Sequence, residues 1–242
     1  MPKSIKLLIS PKDVEEAVIV IKSCVSYIDC KNPKEGSLGA NFPWVIKEIK
    51  SLIPPNSSQL LSATIGDFPY LPGSASLAAL GAAVSGADII KVGLKGPKNK
   101  REGISLMQKV VKAVKNYNHH IKIVTAGYAD KIRIGSSPEF LDIPIIASES
   151  GSEIAMLDTY IKDNNGLFDF LNVEQLIEFK NKAKDLNLEV ALAGNLRKDS
   201  IAKIKEISPD IVGVRSLVCK GYNREIGQIQ YHLIEDLKRE FY

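Results

Sequence analysis

Eight short apolar segments recur along the chain, and this repetition limits the possible folds more than any other feature. Most of the segments are almost continuously apolar, as expected for parallel strands that are covered on both faces. The predicted strands are Ile5–Ser10, Tyr27–Cys30, Leu60–Ile65, Ile89–Val92, Ile121–Ala126, Ile154–Leu157, Glu189–Ala193 and Ile211–Val214.

The segments between these strands have the spacing of amphipathic helices. Before the fifth strand, for example, Ile104, Met107 and Val111 fall on one helical face. Helix-start signals include Ser10-Pro11 and Ser137-Pro138. Alternation of strand and helix predicts an α/β protein with the (β/α)8 fold, a TIM barrel. An open, doubly wound sheet is the alternative, because strand order cannot be read from one sequence.

Composition indicates an ordinary globular chain. Hydrophobic residues make up 45% of the 242 residues, charged residues 25%, and the net charge is +4. Because no linker or low-complexity tract divides the chain, we expect one domain over residues 1–242. No dense basic tract predicts nucleic-acid binding, and no apolar stretch is long enough to span a membrane. A cytoplasmic location follows by default, and self-association into a homo-oligomer is compatible with the sequence.

Cysteine and histidine give no sign of a metal site or a disulfide framework. The three cysteines lack the spacing of metal ligands, and Cys30 alternates with Asp29 and Lys31, so we expect it to be packed. The histidines stand at isolated positions typical of solvated or packed side chains. We therefore expect neither a bound metal nor an organic cofactor.

Lysines with nearby aspartates mark the ends of three predicted strands. Asp29 and Lys31 stand two residues apart at the end of the second strand, Lys91 lies in the fourth, and Asp158 and Lys162 come at the end of the sixth. Carboxyl ends of barrel strands converge on one mouth, where active sites lie. Clustered, partly buried amines have lowered pKa values and act as nucleophiles towards carbonyl groups. Structural ion pairs are the alternative explanation of the same pattern.

A second group of residues follows the seventh and eighth strands. Loops at these two strands commonly form the phosphate site of such barrels. Glycine amides can approach phosphate oxygens closely, and the guanidinium group of an arginine can add two charged hydrogen bonds. The alternative is that the glycines only make tight turns. The candidate phosphate-binding residues are Gly194, Asn195, Gly213, Arg215 and Ser216.

Two further carboxylates follow predicted strands. Asp67 comes after the third strand and Asp130 after the fifth. Either could line the mouth of the barrel, and either could instead cap a helix.

Five segments of the chain carry a resemblance to a known family, which covers almost the whole sequence. The first of these motifs is long enough to be specific. The segments are 31–44 (KNPKEGSLGANFPW), 62–67 (SATIGD), 90–94 (IKVGL), 155–159 (AMLDT) and 210–215 (DIVGVR). The sequence resembles the (5-formylfuran-3-yl)methyl phosphate synthase family. The resemblance implies a TIM barrel that works in methanofuran biosynthesis and condenses two molecules of glyceraldehyde 3-phosphate, releasing phosphate and water.

The resemblance also implies roles for individual residues. Lys31 matches the lysine that forms the Schiff base, and Lys91 matches the proton acceptor. Asp29, Asp158 and Lys162 match polar residues that assist. The chain departs from the family pattern at 95–101, 131–136 and 216–218, and the last departure affects the expected phosphate ligands.

Two other functions remain compatible with the residues. A Schiff-base aldolase or a sugar-phosphate isomerase could use the same barrel, because a fold does not fix a reaction. A non-catalytic protein that binds phosphorylated metabolites would use Arg215 and the glycines but leave Lys31 unreactive.

Overall fold

The computed structural model describes residues 4–224 and 226–241, and its strands form a closed barrel. Strand order follows the sequence, and every neighbouring pair is parallel. The closed ring confirms the predicted TIM barrel and excludes the open sheet. The strands are β1 (Lys6–Ile9), β2 (Tyr27–Cys30), β3 (Leu60–Asp67), β4 (Ile89–Gly93), β5 (Lys122–Tyr128), β6 (Ile154–Asp158), β7 (Glu189–Leu192) and β8 (Ile211–Val214).

Helices connect successive strands along the described residues. They are α1 (Val14–Lys22), α2 (Pro43–Leu52), α3 (Pro72–Val84), α4 (Lys100–Tyr117), α5 (Ile143–Ser150), α6 (Leu167–Phe170), α7 (Val173–Asp185), α8 (Ser200–Ile207) and α9 (Tyr231–Phe241). Short 3-10 turns lie in several of the loops. No helix in the described ranges is both long and apolar enough to cross a membrane.

Two of the helix starts suggested by sequence were wrong. Helix α1 begins at Val14, where the Asp13 side chain accepts a hydrogen bond from the amide of Glu16. The hydroxyl of Ser10 donates instead to Asp29, at 2.8 Å. Helix α5 begins at Ile143 rather than after Ser137-Pro138.

The buried apolar residues form two clusters. The larger cluster fills the space between strands and helices. The smaller cluster draws alternate residues from the strands, among them Leu8, Tyr27, Ile89 and Met156, and occupies the barrel interior. Because side chains alternate along a strand, Asp29 projects to the same interior side as Tyr27, and Lys91 to the same side as Ile89.

An ion cluster lies at the amino-terminal end of the barrel. Glu189 accepts from Lys6 at 3.2 Å and from Lys122 at 2.7 Å. In barrels of this kind the active site lies at the opposite end, where the loops that follow the strands meet.

Candidate active site

Asp29 lies at the centre of the barrel mouth and joins two lysines. The Lys91 amine donates to Asp29 Oδ1 at 2.7 Å, and the Lys31 amine lies 3.9 Å from Oδ2. Ser10 Oγ also donates to Oδ2. Although burial raises the pKa of Asp29, Lys91 and Lys31 lower it below its ordinary value, so the carboxylate stays charged. The structure thus brings together Asp29, Lys31 and Lys91, as the sequence predicted.

The Lys31 amine is suited to act as a nucleophile. Its side chain is 9% exposed. Burial lowers the pKa of Lys31 to about 7, helped by Lys162 and Lys91 and opposed by Asp29 and Asp158. At pH 7 about half of the molecules with such a pKa carry a neutral amine, whereas a free lysine with a pKa of about 10.4 is almost fully charged.

Asp158 forms a second pair with Lys162 at the end of β6. The Lys162 amine donates to Asp158 Oδ1 at 2.7 Å, and the amide of Thr159 donates to the same oxygen. Against the effect of burial, Lys162 and Lys31 lower the pKa of Asp158 to about 2. Burial lowers the pKa of Lys162, and Asp158 opposes that shift.

Charge balance explains why one amine in this group is neutral. Three amines, from Lys31, Lys91 and Lys162, face two buried carboxylates. An unpaired buried charge is costly, so two ion pairs and one neutral amine make the least costly arrangement. Lys91 and Lys162 each hold a carboxylate at 2.7 Å, whereas the ion-pair contact of Lys31 within the described ranges is the one at 3.9 Å, so Lys31 is the amine that gives up its proton most readily.

The loop after β2 covers half of the mouth. Leu38 is fully buried beneath this loop and belongs to the interior cluster. The Leu38 amide donates to Asp67 Oδ2, and Ser37 Oγ donates to the Thr159 carbonyl. These contacts tie the loop to the end of β3 and to the segment after β6, and the opening is lined by residues from β1, β2 and β6 to β8, with Lys91 of β4.

The two other carboxylates neither cap a helix through their side chains nor line this opening. Asp67 accepts from the Tyr128 hydroxyl as well as from the Leu38 amide. Asp130 accepts from the amides of Tyr160 and Ile161 at 2.7 and 2.9 Å, and so fixes the loop after β6.

The opening narrows to a cavity of about 30 Å³ that reaches the lysines. All of the sequence-predicted site residues line it. The predicted residues are Asp29, Lys31, Lys91, Asp158, Lys162, Gly194, Asn195, Gly213, Arg215 and Ser216. Sequence reasoning missed Ser10 and Arg224, which line the same cavity. No spacing pattern in the sequence marks Ser10, which follows β1, or Arg224, which lies in the loop after β8.

Gly194 has a backbone conformation that glycine alone adopts readily, with φ of +110°. A Cβ at this position would lie 3.0 Å from the Thr159 amide nitrogen. The amides of Gly194, Asn195 and Leu196 donate to no acceptor among the described residues. The Asn195 side chain is turned away, with its amide group near the carbonyls of Asp163 and Asn164 at 3.3 Å. The backbone, rather than the Asn195 side chain, is therefore the part of this loop suited to meet an anion.

Arg215 is largely engaged within the protein. Nη1 donates to Glu16 Oε2 at 2.7 Å and to the Ser10 carbonyl at 2.9 Å. Nη2 lies 3.3 Å from Glu16 Oε1, and Nε donates to the Arg224 carbonyl. Within the described ranges these bonds use four of the five N–H groups, so one N–H of Nη2 is left for a ligand.

The predicted packing of Cys30 is confirmed. Cys30 is 1% exposed, and burial raises the pKa of its thiol to about 12. In the described part of the chain no cluster of three histidine, cysteine or carboxylate side chains has a geometry that could hold a metal ion.

Comparison with known proteins gives consistent matches over nearly the whole chain. A model of the family described as 4-HFC-P synthase matches residues 7–238. A (5-formylfuran-3-yl)methyl phosphate synthase from Methanocaldococcus jannaschii is 53% identical over 232 residues, which are 96% of this chain and 97% of the relative. The synthase of the same name from Archaeoglobus fulgidus is 52% identical over 217 residues, or 89% and 91% of the two chains.

Solved structures match the fold at low sequence identity. The 3-hexulose-6-phosphate synthase from Salmonella typhimurium superposes with a TM-score of 0.66 at 12% identity, over 98% of each chain. KGPDC from Streptococcus mutans gives 0.64 at 13% identity, over 99% of this chain and all of the other. These structures show a shared TIM-barrel fold and no more. The family model and the close relatives go further: the chain belongs to the (5-formylfuran-3-yl)methyl phosphate synthase family.

Proposed function

We propose that this enzyme condenses two molecules of glyceraldehyde 3-phosphate into (5-formylfuran-3-yl)methyl phosphate through a Schiff base on Lys31. The family works in methanofuran biosynthesis. The observation that carries the proposal is the buried Lys31 amine, whose pKa is lowered to about 7 and which lies beside Asp29 and a second amine. Such an amine adds to an aldehyde, and loss of water gives an iminium.

Lys91 is the base that acts on this iminium. It takes the proton from the carbon next to the iminium, and the C–H electrons form the double bond of an enamine. The iminium on Lys31 carries a positive charge, so three cations would face two carboxylates unless Lys91 releases its proton to water. The neutral Lys91 amine, held by Asp29 at 2.7 Å, then accepts the substrate proton. The enamine nitrogen then pushes electrons towards the third carbon, and the phosphate leaves with the C–O bonding pair.

The phosphate of this first triose fits the loops after β7 and β8. The amides of Gly194 and Asn195 and one N–H of Arg215 donate to no acceptor among the described residues, so they can donate to its oxygens together with Ser216. Gly213 lies on the neighbouring strand β8, where a Cβ would crowd Ala193, the residue before Gly194, at 3.1 Å.

The substitution pattern of the product indicates which carbons join. The formyl group and the ring carbon beside it come from the first triose. After phosphate leaves, the first triose is an enol, and the electron pair of its C=C bond joins the former phosphate-bearing carbon to the central carbon of the second triose. The enol loses its O–H proton, and the C=O bond of the second triose opens to a hydroxyl. That central carbon is a carbonyl only in the ketone isomer, so a proton shift between the first two carbons of the second triose must come first. Ring closure, loss of two waters and hydrolysis of the imine complete the atom balance with one phosphate released.

The test of this function is direct. Purified protein with glyceraldehyde 3-phosphate should generate the ultraviolet absorbance of a furan aldehyde together with one equivalent of inorganic phosphate. Triose conversion without that absorbance would instead support an aldolase or an isomerase.

The cellular location and the oligomeric state of the protein also remain predictions. A cytoplasmic location is consistent with the absence of a membrane-crossing helix from the described residues, and cell fractionation would test it. Association with further copies of the chain would be seen as a multiple of 26.5 kDa in light scattering.

A further inference from the structure

We propose that the second triose phosphate is held by a separate basic cleft outside the reaction cavity, with Lys12 and Lys34 as its phosphate-binding side chains. This inference rests on the proposed function, because it concerns the second of the two substrates. We call this surface the outer cleft. It is lined by the loops after β1 and β2 and by residues from the loops after β6 and β8.

Size separates the two sites. The reaction cavity measures about 30 Å³, whereas the outer cleft measures about 670 Å³. Sites for small ligands are commonly about 300 to 1,000 Å³, so even the first triose must extend from the reaction cavity into the opening above it, and no room is left there for a second. The outer cleft has room for the second.

The two spaces adjoin. Lys162, Arg215 and Arg224 line both of them. Lys34 lies three residues after the nucleophile, in the loop that Lys31 opens. A three-carbon substrate with its phosphate in the outer cleft can therefore direct its carbonyl through the shared boundary towards Lys31.

The charge of the outer cleft suits a phosphate. Among the described residues that line it are five cationic side chains and one carboxylate, Asp13. Lys162 and Arg215 are already paired with Asp158 and Glu16, so the charge left for a phosphate comes mainly from Lys12 and Lys34. The Asp13 carboxylate is used as the cap of α1, where it accepts from the Glu16 amide at 2.8 Å. The cationic side chains are Lys12, Lys34, Lys162, Arg215 and Arg224.

Lys12 and Lys34 are the lining cations that the reaction cavity does not share. Lys12 has a side chain 34% exposed, and its amine is 3.8 Å from Glu16 Oε1, beyond hydrogen-bond length. Lys34 is exposed on the first turn after β2. Both amines can therefore turn towards a phosphate at little cost, and the phosphate that they hold is the one that remains in the product.

The test separates binding of the two trioses. Borohydride trapping of the imine on Lys31 follows the first triose, and furan absorbance follows the second, each as a function of glyceraldehyde 3-phosphate concentration. In Lys12→Gln and Lys34→Gln the concentration for half-maximal furan formation should rise about fivefold each, the effect of one exposed charge contact. Half-maximal imine trapping should stay unchanged, and Lys34→Arg should restore furan formation.

Lys47→Gln is the matched control, because it removes the same charge from the exposed side of α2, away from the outer cleft. If the outer-cleft variants behave like this control while Lys31 still traps an imine, the inference is wrong and the proposed function survives. If imine trapping and furan formation weaken together, the outer cleft serves the first triose and the inference is again wrong. If the unmodified enzyme traps no imine on Lys31, the proposed function itself fails.

Discussion

The Lys91 amine donates a 2.7 Å hydrogen bond to Asp29, and both side chains are about 1% exposed inside the barrel. The other oxygen of the same carboxylate faces Lys31. One buried carboxylate therefore positions both a base and a nucleophile, and several expectations follow from this arrangement.

Replacing Lys91 should separate imine formation from turnover. Lys91→Gln keeps a donor for Asp29 but has no group that accepts the substrate proton. We expect the imine on Lys31 to accumulate while furan formation falls by a factor of about 100 or more, the usual contribution of a general base. Borohydride trapping and furan absorbance measure the two effects. Normal turnover in this variant would assign the base to another residue, with Lys162 the next candidate.

Imine formation should depend on pH through Lys31. Because burial lowers the pKa of this amine to about 7, the rate of trapping should rise as pH increases through about 7 and level off above it. In Asp29→Asn the negative charge that raises the pKa of Lys31 is gone, so the midpoint should move to lower pH. Stopped-flow measurement of imine formation against pH would show it. A midpoint near 10, or a shift to higher pH in Asp29→Asn, would contradict the electrostatic account.

Asp158 should contribute to stability in a definite pH range. Against the effect of burial, Lys162 and Lys31 lower its pKa from 3.8 to about 2 in the folded protein. A carboxyl whose folded pKa is lowered stabilises the fold above its unfolded pKa, and this contribution, about 2 kcal/mol, is lost as pH falls towards 2. The destabilisation caused by Asp158→Asn should therefore be largest near neutral pH and shrink below about pH 4. Urea unfolding of both proteins across this range is the measurement, and a pH-independent difference would count against the ion pair.

A methyl group at Gly93 should destabilise the covered half of the mouth. A Cβ there would collide with the Asp67 carboxylate and the Tyr128 hydroxyl. We expect Gly93→Ala to lower the free energy of unfolding by about 1–3 kcal/mol, as overpacking does. Gly73→Ala is the control, because a Cβ in that first turn of α3 has nothing within 4 Å. Equal stability of the two variants would mean that the loop after β2 can move aside.

The strands were readable from the sequence, because segments buried on both faces leave an almost unbroken apolar pattern. The predicted and observed limits of β2 and β8 are identical, and the others differ only at their ends. Asp29 and Lys31 could be placed together because residues two apart in a strand share a side. The carboxyl ends of parallel strands meet at one end of a barrel, so the sequence also placed Lys91, Asp158 and Lys162 at the same mouth.

Contacts between distant parts of the chain could not be read in the same way. Arg215 was expected to face a phosphate, but its pairing with Glu16 joins residues 199 positions apart and leaves it one free N–H within the described chain. The bond between Tyr128 and Asp67 likewise depends on which strands become neighbours in the closed barrel. A hydroxyl such as that of Ser10 has no sequence pattern at all.

Borohydride trapping followed by peptide mapping tests the central claim most directly. The unmodified enzyme, incubated with glyceraldehyde 3-phosphate and reduced, should carry a covalent mass increase on the peptide that contains Lys31. In Lys31→Arg, whose guanidinium stays protonated and cannot form an imine, the adduct and furan formation should both be lost while the fold persists. An adduct on another lysine of the unmodified enzyme, or furan formation by Lys31→Arg, would contradict the account.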